Sequence, residues 1–384
     1  MPKNRIIYQS EAIYAGPDAV KGAYYNETGT GVDPNLGESN QEWVLKQKNL
    51  QRVQNVNYSF DIARTDVNCF GTLANIDRVV LDSPTVSMDF SYYLSDFSNE
   101  NALGFSIISY GTSTLTSAVS GMLNRESDER NYYVRVVKEG NDAVDYATTG
   151  TGSNDVIGLG NGFLASYTSE GSVGDFPTCS VTVEALNLAF DKGTTGNVIP
   201  KINPVDGAKA TGEKYVLPIA TKDLSEYGDG YSVIRPGDIT LDLGSQSMGA
   251  TVTDAKIQSY SLSFDLAREP LSRLGSKFAF AREMTFPVTV SLSVDALLGD
   301  LTTGNLADVI GDDANNNFNL AVNLKSGATT GDQAHIQYVI KNAKLDGQAY
   351  SSSIGDNKTV TLNFSSQIGS SQQTGVGLFM SGQL

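Results

Sequence analysis

The sequence predicts a mainly β fold built as two tandem modules of the sandwich or barrel kind. The first sign is strict alternation. Asn57-Tyr58-Ser59-Phe60-Asp61-Ile62 and Ser259-Tyr260-Ser261-Leu262-Ser263-Phe264-Asp265-Leu266 switch between polar and apolar at each step, as a strand does when one face lies on a core. The second is an internal repeat. Val53 to Asp96 matches Ile257 to Asp300 without gaps at an offset of 204, with 13 of 44 positions identical. A repeat of that length reads as one folding unit used twice. The third is composition. With 384 residues, 38 of them Gly, 40% hydrophobic and 18% charged, the chain has apolar mass for a core in each half and many turns to join strands.

The elements follow in order. Residues 1–50 form an N-terminal arm with no counterpart in the repeat, containing a Gly/Asn/Asp-rich loop from Gly29 to Asn40. Asn57 to Ile62 and Thr85-Val86-Ser87-Met88-Asp89-Phe90 are strands, and Ser259 to Leu266 and Thr289-Val290-Ser291-Leu292-Ser293-Val294 are their second copies. Between each pair lies a segment too long for a tight turn, Arg64 to Ser83 and Arg268 to Pro287. It keeps Arg64/Arg268, Gly71/Gly275 and Arg78/Arg282, and holds Phe278 and Phe280 in the second copy. A projecting loop with apolar side chains is costly on an isolated chain and reads as a contact between subunits, the other reading being a loop folded back onto its own core.

Tyr132 to Val137, Ser180 to Leu188, Asp238 to Leu243, His335 to Ile340 and Thr359 to Phe364 are further strands. Thr148 to Gly162 and Gly193 to Gly212 read as loops, the latter belonging to a linker over about 193–245. Helix is sparse, about one short piece per module. Thr114 to Leu123, Pro270 to Leu274 and Asn305 to Ile310 are the candidates. Module boundaries fall at 1–195 and 196–384.

Chemistry is hard to find. A single histidine, His335, sits in an alternating run, so a Ser-His-Asp triad has no support and a two-histidine zinc motif is excluded. Gly158-Leu159-Gly160-Asn161-Gly162 lacks the Lys-Ser/Thr of a phosphate loop and reads as a turn. Asp313-Ala314-Asn315-Asn316-Asn317 begins like a calcium loop, but Phe318 and Leu324 stand where glycine and the terminal acid belong. Cys69 and Cys179 are too few for a disulfide framework or a zinc site, which suits a reducing compartment. No signal peptide or membrane span is expected. The net charge of -16 disfavours adsorption to nucleic acid or anionic lipid. The expectation is no catalytic residue, no cofactor and no metal; a glycan hydrolase using paired carboxylates is a distant alternative.

The repeated Phe60-Asp61-Ile62-Ala63-Arg64 and Phe264-Asp265-Leu266-Ala267-Arg268, each followed by the long segment with Gly71 or Gly275 and then Thr-Val-Ser, resembles the tail tube proteins of long-tailed bacteriophages. The resemblance covers about three quarters of the chain in two passes. It implies two packed β-sheets per module, a flanking helix and a loop reaching toward adjacent rings. It further implies a homotrimer forming a pseudo-hexameric ring, rings stacked into a hollow tube, other phage tail proteins as partners, and genomic DNA passing through without specific binding. The place is the virion tail after synthesis in the host cytoplasm, with no membrane partner. Arg64, Gly71, Arg78, Arg268, Gly275, Phe278, Phe280 and Arg282 are then candidates for contacts between subunits or rings. Ser59, Asp61, Ser263 and Asp265 are candidates for the lumen. A hub or distal tail ring, or a head decoration or adhesin-like protein, are the alternatives.

Overall fold

The computed structural model describes residues 11–17, 43–46, 48–81, 83–109, 116–122, 129–137, 143, 154–193, 200–209, 213–217, 234, 239–242, 256–297, 317–324, 336–351, 359–370 and 373–382. The first half of the chain gives β1 (Glu11–Pro17), β2 (Trp43–Lys46), β3 (Lys48–Asn49), β4 (Val53–Asp61), β5 (Arg64–Val67), β6 (Asp77–Val80) and β7 (Thr85–Tyr93). The helix α1 (Ser98–Leu103), β8 (Ile107–Ile108), β9 (Arg130–Val136), β10 (Asn154–Ser172), β11 (Thr178–Ala185) and β12 (Asn187–Gly193) follow. The second half gives β13 (Glu213–Val216), β14 (Ile239–Asp242), β15 (Lys256–Asp265), β16 (Arg268–Leu271), β17 (Ala281–Met284), β18 (Thr289–Leu297), β19 (Phe318–Leu324), β20 (Ile336–Ser351), β21 (Thr359–Gln367) and β22 (Gly377–Gly382). The fold is mainly β, as its alternation predicts. The calcium-like run up to Asn316, His335 and the helix candidate Asn305–Ile310 lie outside the described residues.

One antiparallel sheet of eight strands organises the molecule, in the order β20-β21-β18-β15-β10-β11-β7-β4. Its strands alternate because one face is dry. On β7, Val86, Met88, Phe90 and Tyr92 are buried, while Thr85 and Asp89 are exposed and Ser87 and Ser91 half-buried. On β15, Tyr260, Leu262 and Phe264 are buried between half-buried serines. Burying such side chains is worth about 1.5–3 kcal/mol each, which fixes the register, since a slip by one residue would turn every apolar group to the polar side.

β10 and β20 are long because each serves two sheets. The front of β10 pairs with β9 and β12, with β1 beyond β9; its back pairs with β11 and β15. The front of β20 pairs with β19 and β22, with β14 beyond β19; its back pairs with β21. Each strand changes sheets at a ladder irregularity that contains an asparagine with positive φ, Asn161 at 54° and Asn342 at 55°. Asparagine tolerates the left-handed region better than most residues with a side chain. Further irregularities recur at matching places, at Gln54 and Gln258 and at Ala165 and Asp346.

Several sequence expectations are corrected. Gly158 to Gly162 is no turn. It lies inside β10, buried on both sides, and residues 154–162 of the expected loop are strand. Its glycines permit close packing: a Cβ on Gly160 would sit 2.2 Å from the Pro200 carbonyl oxygen, and one on Gly162 2.9 Å from the Tyr132 ring. Pro270 to Leu274 is not helical. Pro270 and Leu271 end β16, which pairs with β17 as an extension of the β15–β18 hairpin. The segment from Arg64 likewise forms the β5–β6 ladder instead of an open loop. Ser180 to Leu188 is two strands, broken at Leu186. Within Thr114 to Leu123 the described helical part is the 3-10 turn Ser120–Met122. The α-helix lies earlier, at α1, where Gly104 at φ 105° closes it and its N–H donates to the Asn101 carbonyl.

The two halves share one core. Residues from β7, β9, β10, β11, β15, β18, β20, β21 and β22 belong to a single buried cluster. β8 from the first half pairs parallel with β22 from the second, and the Ala118 N–H donates to the Leu378 carbonyl.

Candidate assembly surfaces

The polar face of the large sheet is a continuous field of small hydroxyls, amides and acids. Asn57 Nδ2 donates to Asp89 Oδ2 at 2.8 Å, and Ser59 and Ser87 share a hydrogen bond at 2.9 Å. Ser259 and Thr361 both donate to Asp295, at 2.8 and 2.5 Å. Across the seam between the halves, Ser261 donates to Glu170 at 3.0 Å. The four candidate lumen residues all lie on this face. Ser59, Asp61 and Asp265 are exposed and Ser263 half-buried. Asp61, Asp89, Glu170, Glu184, Asp265 and Asp295 give the face an acidic character. Against them, Arg282 reaches Glu184 at 2.8 Å.

The seam itself is a strand pair. β10 and β15 run antiparallel from Ser166↔Asp265 to Ser172↔Ser259. This joins the first half's β10-β11-β7-β4 to the second half's β20-β21-β18-β15, two runs of four strands paired in the same order. Two edges are left over among the described residues. β4 is paired on one side only, by β7, and the back of β20 on one side only, by β21. Phe60 on β4 is 59% exposed, whereas Phe264 at the matching place on β15 is 2% exposed. Exposed edges of this kind invite further strands. Sequence reasoning missed both, because an edge is defined by which partner is absent, and periodicity does not carry that information.

The repeated hairpin extensions differ in their surroundings. In the first, Arg64, Gly71 and Arg78 are all exposed, and Arg78 Nε pairs with Asp66 at 2.6 Å within the hairpin. Its tip carries Phe70 and Leu73, both fully exposed, with Ile76 beside them. In the second, Arg268 stacks over the Phe163 ring at 4.8 Å and Arg282 makes its bond to Glu184. The backbone N–H groups of Lys277 and Phe278 donate to the carbonyls of Val205 and Pro204. Phe278 is therefore half-buried, and does not project. Phe280 is 43% exposed beneath Arg273, while Leu274 beside Gly275 is fully exposed at the tip. Gly71 and Gly275 hold φ of 91° and 84° in open space, so the need there is for a tight turn.

Beneath the sheet lies a buried polar knot. Glu100 on α1 accepts the Tyr92 hydroxyl at 2.7 Å and the Tyr167 hydroxyl at 3.0 Å, both at Oε1. Tyr167 and Tyr338 oxygens lie 2.7 Å apart. With the Tyr167 proton on Glu100, Tyr338 must donate to Tyr167, so a second-half residue is tied to a first-half carboxyl. Burial pushes the Glu100 carboxyl up to about 7, partly offset by the two tyrosine donors. Burial also pushes the Cys179 thiol and the tyrosine hydroxyls up. Together these make the site a structural tie. Among the described residues no three of His, Cys, Asp and Glu group as metal ligands, and no helix is long and apolar enough to cross a membrane.

Comparison with known proteins gives little. No family model and no curated protein matches the chain. Among solved structures it is similar, at 18% identity and a TM-score of 0.25, to a chain from the tail of an empty gene transfer agent particle with C6 symmetry. The match covers 35% of this chain and 93% of that one. A chain from the virion of a native gene transfer agent particle aligns at 16% identity and a TM-score of 0.23, over the same 35% and 93%. Superposition at this level carries no argument about role.

Proposed function

We propose that this chain is a structural subunit of a phage or phage-like tail, and more narrowly a tail tube protein whose two modules arose by duplication. Three copies would form a ring of six modules, and rings would stack into a tube. The observation that carries this reading is the seam. Two runs of four strands, alike in order and in the places of their ladder irregularities, are already joined edge to edge within one chain. The same kind of joint, repeated between chains, uses the two edges left over. Closing a sheet on itself is the general way to remove such edges.

The rest of the surface supports this reading. The polar face carries serine, threonine, asparagine and acids, a lining along which DNA could slide without adsorbing. The exposed apolar residues at the hairpin tips suit contacts with the next ring. The partners are then further copies of the chain, other tail proteins and passing DNA, and the location is the virion.

Electron microscopy of the purified chain at rising concentration, with mass measured in parallel, tests this. Hollow stacks built from trimers are expected. Isolated trimers that never stack would move the role to a hub or distal tail ring. A chain that stays monomeric at high concentration, even with preformed tail tips added, would end the reading.

A further inference from the structure

The seam inside the chain supplies a template for the joint between chains. β4 and β15 are matched by the 204-residue offset, by their pairing to β7 and β18, and by the irregularities at Gln54 and Gln258. β10 and β20 are matched at 181 residues by their pairing to β11 and β21, by the irregularities at Ala165 and Asp346, and by Asn161 and Asn342 with nearly equal φ. The template then fixes a register with no free parameter. Ser166↔Asp265 translates to Gly347↔Asp61, and Thr168↔Ser263 translates to Ala349↔Ser59.

We infer that, in the ring proposed above, the back of β20 in one copy pairs antiparallel with β4 of the next, from Gly347↔Asp61 through Gln348↔Phe60, Ala349↔Ser59 and Tyr350↔Tyr58 to Ser351↔Asn57. The occupant of both edges is a second copy of this chain. The contact is head-to-tail, because the two edges differ, and so it either closes a ring or propagates. Neither exposed stretch contains a proline or lysine that would guard an edge against pairing. Backbone hydrogen bonds and cross-strand side-chain pairs would be gained at every step.

A separate part of the surface points the same way. At the internal seam, the first half also covers β22 with β8, and Met380 there is fully buried. Phe190 on β12 holds the corresponding place, opposite Ile157 on β10 as Met380 is opposite Tyr338 on β20. Phe190 is 68% exposed, and β12 is paired among the described residues by β10 alone. Phe60 and Phe190 both belong to the first half. A neighbour whose second half docks as this chain's first half docks on its second would cover both.

The test is cross-linking combined with exchange. In a Cys69→Ser background, which leaves only the buried Cys179, Ser59→Cys with Ala349→Cys is expected to form covalent dimers and trimers on mild oxidation of assembled material, with each variant that carries one of the two introduced cysteines staying monomeric on denaturing gels run after thiol blocking. Asp61→Cys with Ala349→Cys, two positions out of register, should link at least tenfold less. In wild-type assemblies the amides of residues 57–61 and 347–351 that point away from β7 and β21 should exchange about a hundredfold more slowly than in the monomer. Assemblies that form but link equally well out of register, or leave these amides unprotected, overturn the register and leave the ring reading standing. A wild-type chain that never assembles removes both. The exchange measurement needs no substitution, so a double variant that fails to fold does not shelter the inference.

Discussion

Replacing Glu100 by Gln should make the chain more stable at pH 8 and leave it nearly unchanged at pH 4.5. The carboxyl is fully buried, and its folded-state pKa is about 7 against an ordinary 4.5. Between those values the unfolded chain binds fewer protons than the folded one, so stability falls as pH rises through the window. It is complete below about 4.5 and the loss is finished above about 7. At 1.36 kcal/mol per unit the difference is about 3 kcal/mol. Glutamine mimics the protonated acid: its Oε1 still accepts Tyr92 and Tyr167, and its amide stands where Oε2 meets no partner. Urea unfolding followed by circular dichroism at pH 4.5, 6, 7 and 8.5, on monomeric material, reads the effect. With a slope of about 3 kcal/mol per molar, the variant's midpoint should exceed that of wild type by about 1 M at pH 8.5. Midpoints that run parallel across the range would refute the idea that Glu100 is held neutral.

Three further outcomes are expected. Cys69 is exposed and Cys179 buried. An aromatic disulfide reagent should therefore titrate one thiol within minutes in the native chain, and the second only after denaturation. Arg135 is buried, donates to the Leu217 carbonyl at 2.6 Å and lies over the Tyr14 ring at 4.8 Å. Arg135→Ala should cost about 2–4 kcal/mol in a urea titration. If the polar face lines a channel for DNA, Asp61→Lys with Asp265→Lys should slow genome release from otherwise normal particles in an ejection assay, and unchanged kinetics would argue against that lining.

What the sequence discloses follows from where alternation survives. β4, β7, β15 and β18 are wet on one face, so their polar and apolar residues take turns and the strands can be read directly. The front of β10 is buried on both sides, so alternation vanishes, and the glycines that admit Pro200 and Tyr132 imitate a turn. Pro270 imitates a helix start, yet β16 is one of only two strands in its ladder, where a missing N–H costs little. α1 is six residues long, too short to show a helical period. For the candidate surfaces, Ser59, Asp61, Ser263 and Asp265 fall on the polar face because parity alone places them there. The docking of Phe278 on Pro204 and the exposure of Phe70 and Leu73 depend on which segment happens to pass nearby. The seam pairs β10 with a strand some 90 residues on, and nothing local in either announces it.

That seam has a kinetic meaning as well. Because β10 and β15 share a chain, their meeting does not depend on concentration. In a ring of six modules every second joint would be made during folding, leaving half as many encounters to wait for. Tethering also frees the halves from identical chemistry. One hairpin has settled onto residues 204–205 while its sibling keeps Phe70 and Leu73 in the open. An assembly of such chains would repeat its outward chemistry every 120° around the axis, even where its backbone repeats every 60°. A neighbour that grips only the free hairpins would meet three handles per ring and so could hold the assembly at a defined rotation.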